Sequence, residues 1–308
     1  MKKFIIRVAA IIVISLTIGL FFYQRSPKLV PDRELGNNQT QTEVKTILQG
    51  NNVTDNIGYS LQDQQLQITY DQGKHWTVVP VELESLFAGE YNGNKKDLID
   101  KSYILTDTRA GFIYGEGSSW ENESIYFMYS EDQGKTWHKS IVAEQYLGVR
   151  FRKVDFLSDS FGYIILSGGR TMSQEGSNVF LTYDGGENWQ ETENYDVTRL
   201  IADGGFVDEK TGFLSYGVLN PVEPDFYYTN DAGDTWGKAE IHVPSQYHEI
   251  FVQAEVPIKE GDHLALFINQ GPNGDYKGGK VKGKFISSDN GQTWEFVEEM
   301  AIDEQDIQ

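Results

Sequence analysis

The sequence predicts an all-β protein, a five-bladed β-propeller of four-stranded antiparallel blades, carried behind an N-terminal transmembrane helix. Three observations predict it. A turn pattern Ser/Thr-x-Asp-x-Gly-x-x-Trp occurs five times. Short β-like runs recur in step with it, as expected of a repeat architecture. A charge-free apolar stretch, Val8–Tyr23, precedes everything else.

The N-terminal segment comes first. Lys2, Lys3 and Arg7 lead into Val8–Tyr23, which as a helix spans roughly 24 Å, slightly under a hydrocarbon core. Arg7 can snorkel inward, and Phe21, Phe22 and Tyr23 suit an interface. No small-x-small cleavage site comes after it, so residues 1–25 read as an uncleaved signal-anchor, with secretion after cleavage as the alternative. Basic residues on both flanks leave the orientation open. An N-terminal export-like segment places the large downstream domain outside a bacterial cell membrane. Residues 26–42, with Pro27, Pro31, Asn37 and Asn38, read as a linker.

The repeat fills residues 43–300. Its copies are centred on Asp71, Gly73 and Trp76; Asp132, Gly134 and Trp137; Asp184, Gly186 and Trp189; Asp231, Gly233 and Trp236; and Asp289, Gly291 and Trp294. The aspartates lie 61, 52, 47 and 58 residues apart. An Asp carboxylate closes a turn by accepting backbone N–H bonds, and Gly supplies positive φ. Ser/Thr adds a local bond, and Trp begins the next strand and brings a large block of apolar area. A repeated turn accounts for all five carboxylates without assigning them catalysis or metal binding.

Upstream, Gly58-Tyr59, Gly111-Phe112, Gly162-Tyr163 and Gly212-Phe213 each open a strand-like run, while the fifth unit has only Gly261-Asp262-His263. Other candidate strands are Val44–Leu48, Ser102–Asp107, Phe151–Leu157, Thr198–Phe206 and Glu249–Val256 as first strands, runs into each turn such as Asn178–Thr182, and runs after each Trp. Four strands per unit make a radial sheet, with the Asp turn between strands three and four. Five is the blade count; a sixth, degenerate blade is the alternative. Residues 301–308 form an acidic tail.

The formal charge is −20, and residues 35–308 alone reach about −24. Such a domain repels nucleic acid. There is no cysteine, and the five histidines lack metal-ligand spacing. Gly271–Gly279 lacks the Lys-Ser/Thr of a phosphate loop. Neither a metal nor a cofactor is expected.

The five turns are the mark of BNR/Asp-box repeats, and residues 43–300 resemble the sialidase-like propellers. That superfamily holds sialidases, other glycoside hydrolases, sorting-receptor ectodomains and photosystem assembly factors, so the resemblance implies the architecture more than an activity. For a sialidase it implies three arginines on the substrate carboxylate, a Tyr–Glu nucleophile and an Asp acid/base. The Phe/Tyr-Arg-Ile-Pro motif that carries the first arginine is absent. Phe151-Arg152-Lys153-Val154 is a faint likeness in the wrong unit, and no arginine lies between Arg33 and Arg109.

Propeller topology puts the two-to-three loops on the face opposite the Asp turns. They run near Gln62-Asp63-Gln64, Gly115–Glu123, Gly168–Gly176, Gly217–Asp225 and Gln270–Lys282. Loops beyond turn length are candidates for binding. Trp120, Arg170 and Tyr276 are the candidate ligand contacts; a Trp that packs its own loop and two solvated tips are the plain alternative. Glu121, Glu123, Glu175, Glu223 and Asp225 share these loops. The expected function is a non-catalytic, extracytoplasmic module for a protein or carbohydrate ligand. A glycoside hydrolase using paired loop carboxylates is the alternative.

Overall fold

The computed structural model describes residues 50–302, except 53, 55, 92, 118–121, 194 and 195. The expected anchor, linker, strand Val44–Leu48, Trp120, Glu121 and all but the start of the tail lie outside them. No helix among the described residues is long and apolar enough to cross a membrane.

Five sheets succeed one another along the chain, antiparallel except where Glu240–His242 adds in parallel to the last strand of the fifth. The first is Asn51–Asn52, Gly58–Ser60, Gln65–Thr69 and Thr77–Glu82. The second is Tyr103–Leu105, Ala110–Gly117, Glu123–Ser130 and His138–Tyr146. The third is Phe151–Phe156, Gly162–Thr171, Gln174–Thr182 and Gln190–Glu191. The fourth is Ile201–Phe206, Gly212–Tyr216, Asp225–Thr229 and Gly237–Lys238. In the fifth, a first strand split into Gln253–Ala254 and Ile258–Glu260 precedes His263–Asn269, Val281–Ser287 and Thr293–Ala301. These meander sheets are consistent with a propeller.

The turn chemistry is as the motif requires. In the second copy, Ser130 Oγ donates to Asp132 Oδ1 (2.9 Å) and accepts from Gly134 N (2.8 Å), while Asp132 Oδ1 accepts from Thr136 N (2.8 Å). The other four copies repeat these bonds. The motif glycines sit at φ +78 to +98°. The residue before each is also left-handed, from Asn290 at 57° to Gly185 at 78°.

Apolar cores lie between consecutive sheets. Leu66 and Ile68 meet Phe112 and Tyr114; Phe127 meets Val154 and Ile164; Tyr163 and Ile165 meet Ile201 and Leu214; Phe213 and Phe226 meet Leu266 and Phe285. Trp137, Trp189, Trp236 and Trp294 join these inter-sheet cores, with unequal burial, and Trp76 does not. Trp294 is fully buried against Phe213 and Phe226 of the fourth sheet, whereas Trp76 is half-buried. Trp189 donates from Nε1 to Ser140 Oγ of the second sheet (3.1 Å). Among the described residues no such core joins the fifth sheet to the first.

Three expectations are corrected. Gly168–Gly176 is not a long loop: the strands pair through Gly168↔Gly176 to Thr171↔Gln174, leaving a two-residue turn at Met172 and Ser173. The glycines there suggested a loop but are accommodated in the ladder beside a register shift. Glu249–Val256 is strand-like only from Val252: Glu249 is left-handed (φ 60°) and Ile250 N and Phe251 N bond back to Tyr247 O (3.1 and 3.2 Å), whereas Val252 N and Glu255 N bond Asn269 O and Phe267 O (2.9 Å each) around the Gln253–Ala254 pair. Four of the five tryptophans stand just before strand four rather than starting it.

Candidate functional site

The first strands carry charged residues at one equivalent position. Lys153 lies opposite Ile165 and Asp203 opposite Ser215, each partner three residues after the glycine that opens strand two. The pairing Tyr103↔Phe112, extended by two residues, brings Lys101 to the same level. Glu255 takes that level in the fifth sheet, where its N–H bonds Phe267 O (2.9 Å).

These four side chains line a cavity of about 690 Å³ together with Gln253, Asn269 and Lys282, and with Phe267 and Met300 as apolar wall. Lys101 Nζ donates to Asp203 Oδ2 (2.9 Å), and Lys153 Nζ to Asp203 Oδ1 (2.8 Å). Lys282 Nζ stands 2.8 Å from Glu255 Oε1, which also accepts from Asn269 Nδ2 (3.3 Å). Burial pushes the Asp203 carboxyl up, but the Lys153 and Lys101 charges outweigh it and hold the group below the usual carboxylate range. Three ammonium groups against two carboxylates make this a locally cationic site in an acidic chain. Amides, charges and one apolar wall suit a polar ligand with an apolar face.

The remaining charges of this face tie loops and strands together. Arg150 holds Glu175 through both its Nε (2.6 Å) and Nη2, and Glu175 also accepts from Ile201 N (3.0 Å). Arg199 Nη2 donates to Asp225 (2.9 Å). Arg152, buried, donates to the carbonyls of Leu86 and Ala88, and burial lowers its pKa to about 10. It is therefore a strut, not a cavity residue. Glu123 accepts from Gly89 N (3.2 Å), and burial raises its pKa. Burial also raises that of Asp225 against the pull of Arg199.

Of the residues singled out from sequence, Arg170 is exposed on the projecting hairpin and donates to its own Met172 O (3.0 Å). Tyr276 is half-buried, edge-on to Tyr247, with its hydroxyl donating to Glu299 (3.2 Å). Neither lines the cavity, and Trp120 lies outside the described residues. Sequence reasoning missed Lys101, Lys153, Asp203, Glu255 and Lys282. The signal for three of them was their near-constant distance ahead of the Gly-aromatic pairs: Lys101, Lys153 and Asp203 lie 10, 9 and 9 residues before Gly111, Gly162 and Gly212. Among the described residues no cluster suited to a metal ion occurs.

A family model described as BNR/Asp-box repeat matches residues 128–139 and 285–296, which hold the second and fifth turns. No curated protein matches the chain. Similar solved structures include a protein of unknown function from Dyadobacter fermentans (15% identity, TM-score 0.40, 66% of this chain and 70% of that one). Another is Zg3597, a family 117 glycoside hydrolase of Zobellia galactanivorans (13%, 0.37, 69% and 73%). A third is the Hadza microbial sialidase Hz136 (15%, 0.40, 80% and 56%).

Proposed function

We propose that this chain, a carrier of BNR/Asp-box repeats on the sheets of a sialidase-like propeller, is a non-catalytic binding module with five blades. Its ligand is a glycan or a polar protein segment, taken up in the cavity of Lys101, Lys153, Asp203, Glu255 and Lys282.

The observation that supports this reading is the clamp on Asp203. Glycoside hydrolysis calls for one carboxyl kept neutral as acid and a second that is ionised and free to attack or activate water. Asp203 is held ionised between two lysines, and Glu255 is paired with Lys282. The arginine clamp of a sialidase has no counterpart among the lining residues: Arg150, Arg152 and Arg199 are all bonded elsewhere.

The apolar N-terminal segment fits the same reading, holding the module outside a bacterial membrane. Resistance to alkaline extraction from membranes, with protease access to the module from outside, is the expected outcome. Release by alkali, or protection from external protease, would sink that placement.

The full chain in detergent, applied to a glycan array and to chromogenic glycosides, tests the function. Retention on the array without turnover is expected, with at least a tenfold loss in Lys101→Ala/Lys153→Ala. Turnover that disappears in Asp225→Asn would instead establish a glycoside hydrolase, the reading favoured by the buried, upshifted Asp225 carboxyl.

A further inference from the structure

A second concavity, sharing no lining residue with that cavity, lies between the fourth and fifth sheets. It has a volume of about 920 Å³. Its apolar surface comes from Ala239, Ile241, Val243, Phe251 and Phe296. Glu223, Glu249 and Glu295 stand exposed around it, against Lys238, His242 and His248; Glu223 lies 3.6 Å from Lys238 and Glu295 2.6 Å from His242, while Glu249 has no ion pair among the described residues.

The backbone beside this groove is unusual. After pairing with the fourth sheet at Gly237–Lys238, the chain crosses over, and Glu240–His242 pairs in parallel with the last strand of the fifth sheet at Thr293, Trp294 and Glu295. That pairing stops after three residues. Val243 N turns back to Ile241 O (3.1 Å), Pro244 has no N–H, and Ser245–Tyr247 forms a 3₁₀ turn. The last strand nevertheless continues to Ala301. From Phe296 onward its outer edge has no strand partner among the described residues, and Val297 is exposed there. An unpaired edge is a template for another strand.

We propose that this groove and edge bind an extended, basic peptide segment of a partner protein. The segment adds as a strand along Phe296–Ala301, continuing the line that Glu240–His242 begins and ending beside Met300 and Ala301, which also line the lysine cavity. Its backbone takes up the free N–H and C=O groups, which supplies affinity independent of sequence. Strand geometry sends alternate side chains to one side, so one apolar residue lies over Phe251 and Phe296 while Lys or Arg neighbours reach Glu223, Glu249 and Glu295. Charge complementarity selects this occupant: the rim is acidic and the chain carries −20 overall, so an acidic peptide or a second copy of the chain is repelled.

The test is hydrogen–deuterium exchange on the full chain with a capped decapeptide of alternating Lys and Val, and with its Glu-for-Lys counterpart as control. The Lys peptide is expected to slow exchange of the amides in 296–301. Glu249→Lys/Glu295→Lys, which changes exposed side chains and also removes the Glu295–His242 pair, is expected to weaken binding at least tenfold. Retention by the glycan array is expected to be unchanged in this variant, which separates this site from the lysine-lined cavity. Binding without protection of 296–301, equal binding of the Glu peptide, or indifference to the double charge reversal would each overturn the proposal. So would protection of 296–301 that grows with the concentration of the chain alone, since that identifies a second copy as the occupant.

Discussion

Gly291, in the fifth Asp turn, lies flat against the ring of Phe213 in the fourth sheet, so that any Cβ would overlap it. A Cβ on Gly233 would likewise overlap Thr192, at 2.6 Å, and one on Gly134 or Gly186 would press on Ile68 or Phe127, at 3.2 and 3.1 Å. These four turn glycines seat their sheets on the ones before. Gly73, in the first sheet, meets only its own Trp76. Both backbones are left-handed, so Gly73→Ala should cost about 1 kcal/mol from conformation alone. Gly291→Ala adds the clash and should cost about 2–4 kcal/mol. Urea denaturation of the two variants checks this; equal midpoints would contradict the inter-sheet role.

The tryptophans should rank in the same way. Trp294→Ala removes a fully buried indole and should cost about 3–5 kcal/mol, whereas half-buried Trp76→Ala should cost about 1–2 kcal/mol. Thermal unfolding measured by circular dichroism decides it, and a larger loss at Trp76 would refute the ranking.

Arg150 neutralises Glu175, whose side chain is completely buried. Arg150→Ala leaves that carboxylate unpaired and should destabilise by about 3–5 kcal/mol. Arg150→Lys should recover little, because one ammonium cannot replace the two guanidinium nitrogens that grip the carboxylate. Full recovery of the denaturation midpoint in the Lys variant would refute the two-point geometry.

The Asp turns set an acid limit. The bond from Thr136 N is the largest cause that lowers Asp132 to about 2, and the His75 side chain is the largest that lowers Asp71 to about 2. Their folded values lie below the unfolded value of 3.8. Their stabilisation is therefore fully present above that value and lost as pH falls from about 4 to about 2. Asp132→Asn should flatten the stability profile in that window and leave its shape at neutral pH unchanged. A pH titration of the urea midpoint measures it.

Asp203 ties Lys101 to Lys153, of which Lys153 is only 12% exposed. Asp203→Asn leaves both ammonium groups without their counter-charge and should cost about 1–3 kcal/mol. Because the folded pKa is lowered, this contribution too disappears in acid, below the ordinary carboxylate value. A urea midpoint unchanged by Asp203→Asn would mean that the clamp contributes nothing to the fold.

The Asp turns were fully legible in the sequence because every bond in them is local. Thr182, Asp184, Gly186 and Asn188 contact one another within seven residues, so residue type and spacing suffice. The period-two strands were legible for a similar reason, with errors where glycine stood in for a loop at Gly168 and where the turn after Tyr247 took up Ile250 and Phe251. The cavity was not legible. Lys101 and Asp203 are 102 residues apart and carry no motif of their own. Arg152, conspicuous in sequence, proved to be bonded to Leu86 and Ala88.

The sequence by itself determined the repeating unit: five hairpins closed by an aspartate, each capped by a tryptophan, separated by strands of the right length. Side-chain-to-backbone bonds over two to four residues are enough to specify them. Only the tertiary structure decided which indoles are buried and which carboxylates are neutralised. It also decided that the chain would cross to the neighbouring sheet at Glu240–His242. Those outcomes depend on contacts between sheets, where distant residues meet at distances that no local pattern encodes.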